Sequence, residues 1–158
     1  MNDTHGGPPG RPPAPARIEE TLMPTASPPL RIVLIEDSAL LRDLLTGMLN
    51  GIAGIELAGC ADSEKGALET LLQLRPDLAI IDLELRGGTG LNVLAAIHEA
   101  PQRFGPLRKV VFSNHAHPIV QHRCRALGAL AFFDKSFQME ELLEWIQAEV
   151  ERRPGGTA

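Results

Sequence analysis

The sequence predicts an α/β domain built on a doubly wound parallel sheet. Two patterns lead there. Five short apolar runs alternate with five segments of helical periodicity. Those runs are apolar at successive positions, as in strands covered by helices on both faces. The 158 residues suit one domain. At 44% hydrophobic, the chain can bury a core, so wholesale disorder is excluded. The net charge of −5 argues against non-specific nucleic-acid binding, which needs clustered Lys and Arg.

Arg31–Ile35 reads as the first strand and stops at Glu36 and Asp37. A helix follows from about Ser38, with Leu41, Leu44, Leu45, Met48 and Leu49 on its inner face. Ile55–Cys60 reads as the second strand. Ser63–Leu74 is the second helix, with Ala67, Leu68, Leu71 and Leu72 inward and Pro76 as its stop. Leu78–Ile81 is the third strand, ending at Asp82. Leu91–Glu99 is the third helix, carrying Leu91, Leu94, Ala95 and His98. Lys109–Phe112 is the fourth strand, ending at Ser113. Pro118 suits the first turn of a fourth helix that stops near Gly128. Leu130–Phe133 is the fifth strand, ending at Asp134 and Lys135. Gln138–Val150 is the last helix, with Met139, Leu142, Leu143, Ile146 and Val150 at helical spacing.

Right-handed crossovers put five such units into one sheet, for which the flavodoxin-like order 2-1-3-4-5 is expected. The prolines mark the boundaries. Eight of 13 lie within residues 1–29, which predicts a disordered or polyproline tail. Ile18, Leu22 and Met23 are its large apolar residues, open to reading as one docking turn or as part of an inert tail. The domain then covers 30–150, and 151–158 reads as a disordered end. The apolar stretches are too short and too interrupted to cross a bilayer, and no signal peptide precedes them. A cytoplasmic location is expected. Cys60 and Cys124 make no disulfide framework and read as small buried hydrophobes.

Ligands of an open parallel sheet sit at the carboxyl ends of its strands. Those ends carry Glu36, Asp37, Asp82, Ser113 and Lys135. Converging carboxylates repel, so they need a cation, and all-oxygen donors favour Mg²⁺, Mn²⁺ or Ca²⁺ over zinc. A lysine and a hydroxyl beside them fit phosphoryl oxygens. Central Asp82 is then the nucleophile of an aspartyl phosphate. Taken singly, each residue is also readable as a cap, a turn or a surface charge.

These pieces resemble the receiver domain of two-component response regulators. The resemblance rests on Ile32–Ser38, on Asp82–Leu85 with Gly87–Gly90, on Val110–Ser113, and on Gly128–Ser136. It implies that Asp82 accepts phosphate from a sensor histidine kinase or histidine phosphotransfer protein. Glu36, Asp37, Asp82 and the backbone carbonyl of Glu84 would hold Mg²⁺. Ser113 and Lys135 would contact the phosphoryl oxygens. Phe132 would be the switch aromatic that turns inward as Ser113 moves. Glu84 and His115 would flank the phosphoryl group and tune its lifetime. The face made by helix four, strand five and helix five would change its preference for a downstream protein or support a weak dimer of an otherwise monomeric chain. Eight residues follow Val150, so a stand-alone receiver is expected, without direct nucleic-acid or membrane contact.

Two departures bear on rigidity. Arg86 stands where the family usually has Pro after Asp-x-x-Leu, which predicts a looser loop. Ser136 stands where Pro usually follows the lysine, and a cis bond there would cost roughly 2.5–4 kcal/mol. Phe132 replaces the commoner Tyr.

Two other readings share some of these features. Haloacid-dehalogenase-type phosphatases share the residue types, but there the nucleophile comes first and the acid pair last. A phosphate-independent docking module is the third reading. His115, His117, His122 and Cys124 match no zinc spacing. Trp145 lies off the apolar stripe of the last helix, either packed against a neighbour or docking a partner.

Overall fold

A computed structural model describes residues 28–153, together with Gly10. The proline-rich tail before Pro28, with Ile18, Leu22 and Met23, and the residues after Arg153 lie outside the described residues.

The strands are β1 (Leu30–Ile35), β2 (Ile55–Ala61), β3 (Leu78–Ile81), β4 (Arg108–Ser113) and β5 (Ala131–Asp134). The helices are α1 (Ala39–Asn50), α2 (Glu64–Leu74), α3 (Gly90–Glu99), α4 (Pro118–Ala126) and α5 (Met139–Arg152). A 3₁₀ turn, Pro101–Arg103, follows α3. All strand pairs are parallel, in the order β2-β1-β3-β4-β5, the flavodoxin-like topology the sequence predicts. The helices start where their caps say. Ser38, Ser63 and Thr89 each accept a first-turn N–H, and His117 Nδ1 does so ahead of Pro118.

Alternation along the strands splits the core in two. Val33, Ile35, Ala79, Ile81, Val111 and Phe132 face α2, α3 and α4. Ile32, Leu34, Ile80, Val110, Phe112 and Phe133 face α1 and α5, where Leu45, Leu49, Leu142 and Ile146 close the layer. Trp145 is partly buried and meets Phe133 edge-on at 6.4 Å, so it packs against a neighbour. At the opposite sheet edge from the strand carboxyl ends, buried Glu149 pairs with Arg108 and Arg152, fixing the end of α5 to β4.

Several expectations are corrected. Leu44 and Met48 are not core: they are 47% and 38% exposed, because only Leu45 and Leu49 of α1 point fully at the sheet. His98 is exposed, and Val93, Leu94 and Ile97 are the buried side chains of α3. Cys60 is exposed on edge strand β2, whereas Cys124 is buried. Leu130 lies outside β5 and is exposed.

Leu45→Ala is expected to cost about 2–5 kcal/mol, as other large-to-small core changes do. Leu44→Ala should stay within about 1 kcal/mol. Urea unfolding of the two variants tests this, and equal costs would contradict the burial assigned to α1.

Candidate functional site

The carboxyl ends of β1, β3, β4 and β5 bring the predicted polar residues to one edge. Carboxylate oxygens of Glu36, Asp37 and Asp82 lie within 4.8 Å of one another. Glu36 and Asp82 are buried, and Asp37 is half-buried. Lys135 Nζ bridges two of them, 2.6 Å from Glu36 Oε1 and 2.6 Å from Asp82 Oδ2. Burial pushes the Glu36 carboxyl above its usual range, against the lowering effect of Lys135 and the Ser38 N–H. Burial alone would lower the Lys135 ammonium. Its hydrogen bonds to Asp82 and Glu36 outweigh that, so it is held charged.

With all four groups ionised, the cluster carries two uncompensated negative charges. Two carboxylates about 4 Å apart repel by about 4 kcal/mol at an effective dielectric near 20. An all-oxygen donor set with that residual charge fits a hard divalent cation such as Mg²⁺.

The surrounding loops hold these groups in place. Arg42, on α1, donates to the backbone carbonyl of Glu36 at 2.9 Å and to that of Asp37 at 3.5 Å. Glu84 N–H donates to Asp82 Oδ1 at 3.2 Å, which fixes the turn after β3. Gly90 is required there, since a Cβ would stand 2.1 Å from the Asp82 carbonyl oxygen. Glu64 Oε1 accepts the Thr89 N–H at 3.2 Å and ties that loop to α2. The sequence alone does not mark Arg42 or Glu64, because their roles depend on tertiary geometry that motif spacing does not encode.

Ser113 is fully buried, and its Oγ accepts the His115 N–H at 3.2 Å. Phe132 is buried in the cluster that holds Val111, Cys124 and Ala129. The side chains of His115 and Glu84 pair with each other. They line a cleft of about 550 Å³ with Asp37, Thr89, Leu91 and Val120. His117 caps α4, His122 is exposed, and Cys124 is buried.

Both departures from the family pattern use an N–H that proline lacks. Arg86 N–H donates to the Asp62 carbonyl at 2.9 Å, which ties down the loop expected to be loose. Ser136 N–H donates to Asp134 Oδ1 at 2.8 Å. No cis peptide bond occurs among the described residues, so Lys135–Ser136 is trans. Lys135 still reaches both carboxylates.

With this geometry in view, comparison with known proteins gives the family. The response regulator receiver domain model matches residues 32–147, and the chain belongs to that family. It is a receiver domain of two-component response regulators. A protein-glutamate methylesterase/protein-glutamine glutaminase of Bdellovibrio bacteriovorus is 31% identical over 124 residues, covering 77% of this chain and 34% of that protein. The transcriptional regulatory protein PdtaR of Mycobacterium tuberculosis is 32% identical over 127 residues, covering 80% of this chain and 60% of that protein. The chain therefore spans about a third to three-fifths of these relatives. Among solved structures, the response regulator domain of Thermotoga maritima CheB aligns with a TM-score of 0.68 at 23% identity, covering 80% of this chain and 99% of that one. A signal receiver domain of a DNA binding response regulator from Colwellia psychrerythraea aligns at 0.71 and 24%, covering 78% and 99%. No described helix is long and apolar enough to cross a membrane.

Arg86→Pro and Ser136→Pro each remove one of these N–H donors. Each is expected to cost about 1 kcal/mol or more in chemical denaturation. A stability gain from either would contradict the use of these N–H groups.

Proposed function

We propose that this receiver is a phosphorylation switch that takes a phosphoryl group onto Asp82 and has no substrate turnover of its own. The observation that carries the reading is the Lys135 bridge between Asp82 and Glu36 inside a three-carboxylate cluster. The donor is a phosphohistidine on a sensor histidine kinase or a histidine phosphotransfer protein. An Asp82 carboxylate oxygen attacks phosphorus, and the P–N bond to the donor imidazole breaks as the imidazole leaves. Mg²⁺ held by Glu36, Asp37, Asp82 and the Glu84 backbone carbonyl would neutralise the phosphoryl oxygens. Lys135 keeps the nucleophile oriented and is placed to pair with a phosphoryl oxygen. Ser113 keeps its hydroxyl proton for another, because its Oγ accepts from His115.

The readout is the α4–β5–α5 face. Cys124 is the one fully buried side chain of α4, so this helix is thinly anchored beside Phe132. A shift of Ser113 toward phosphate opens space behind it that Phe132 can follow, and α4 repacks. The face presents His122, Arg123 and Arg125 on α4, and Glu140, Glu141 and Glu144 on α5. That pattern suits an unidentified downstream protein or a weak dimer of the monomeric domain. The reading places the protein in the cytoplasm, where its phosphodonors are.

The paired Glu84 and His115 stand over the cleft beside Asp82. We assign them the control of water access, and so of phosphate lifetime.

Incubation with acetyl phosphate and Mg²⁺ should add a single phosphoryl group by intact mass, absent in Asp82→Asn and after chelation. No adduct, under conditions that label another receiver, would favour a phosphate-independent docking module. Replacing Glu84 and His115 together with Ala should shorten the adduct's lifetime several-fold, and an unchanged lifetime would remove their assigned role.

A further inference from the structure

An apolar stripe on α1 has no partner within the described domain. Leu40 is 83% exposed, Leu44 47% and Met48 38%, and their spacing of four places them on one helix face. Single exposed apolar residues are ordinary, but a row of three along one helix marks a contact surface.

Gly47 is a second, independent observation. It lies in the interior of α1, where glycine is among the least favourable helix residues. Nothing lies within 4 Å of the position its Cβ would take. No close approach inside the domain therefore explains the glycine. A chain segment crossing α1 from outside would, because it could approach the backbone there.

The occupant is found by asking what the chain has left over. Outside the described domain, residues 1–27 hold three large apolar side chains besides Met1: Ile18, Leu22 and Met23. Ile18 and Leu22 are four apart, the same interval as Leu40, Leu44 and Met48. The chain enters the domain beside the right end of α1. Leu30 N–H bonds the Gly54 carbonyl at 2.8 Å, in the turn that follows Asn50. Leu22 lies eight positions before Leu30, a span of roughly 26 Å when extended. Helix α1 is roughly 18 Å long. The segment can therefore reach the whole stripe without strain.

We propose that residues 18–23 dock on the Leu40–Leu44–Met48 face of α1, across Gly47, within the same chain. Leu40 lies two residues after Ser38, next to the acidic pair that ends β1.

Trypsin reads the contact in the full chain. Arg11 precedes proline and resists cleavage, so Arg17–Ile18 is the one susceptible bond before Arg31. Docking protects it. The loss of residues 1–17 is followed by mass spectrometry for the wild type, for Leu40→Gln/Leu44→Gln, and for Gly47→Gln. A free peptide of residues 10–26 sets the unprotected rate. The wild type should be cut about ten-fold more slowly than the peptide, and both variants should approach the peptide rate, since cleavage follows the open population. Far-UV circular dichroism checks that the variants fold, and all replaced residues are exposed. A wild-type rate equal to the peptide's would overturn the proposal, as would rates unchanged in both variants. Protection that grows with protein concentration would also overturn it, by assigning the stripe to a second copy.

Discussion

The mutual repulsion of Glu36, Asp37 and Asp82 is the constraint around which the rest of this domain is organised. Folding forces three carboxylates to within 4.8 Å, two of them out of water. Such a cluster costs stability, and Lys135 offsets one charge of three. On the proposed reading, the remaining imbalance would draw a cation to the site and, with it, a phosphoryl group. On that reading the site exchanges stability for chemistry.

Holding the groups together against that repulsion falls to the backbone. The parallel sheet aims four strand ends at one edge. Arg42 clamps the loop after β1, Gly90 lets the chain fold back on the Asp82 carbonyl, and Glu64 binds the next loop. Where proline would stiffen a loop by its ring, Arg86 and Ser136 stiffen it by a hydrogen bond. The two devices restrict the same segments by different means. On the opposite side, Glu149 and Arg108 fix the far end of α5.

Much of this was legible in the sequence because the relevant signals are local. Strands buried on both faces write themselves as apolar runs, and their endings at Glu36, Asp82, Ser113 and Lys135 are positional. Topology follows from the handedness of crossovers. What was not legible is what depends on tertiary facing. Leu44 and Met48 fit the same helical period as Leu45 and Leu49, and only the width of the sheet beneath α1 decides which are covered. Cys60 is apolar enough for a core but falls on the outer side of an edge strand. Arg86 looked like a loss of rigidity because a sequence shows the missing ring and not the carbonyl of Asp62 that its N–H finds.

The most direct test of the charge imbalance is thermal unfolding of the wild type and Asp37→Asn, each with and without Mg²⁺. Removing one carboxylate relieves repulsion and removes a ligand at the same time. The account predicts that Asp37→Asn melts higher than the wild type without the cation, and that Mg²⁺ raises the wild-type midpoint but leaves the variant's nearly unchanged. A variant less stable than the wild type without cation, yet equally stabilised by Mg²⁺, would contradict it.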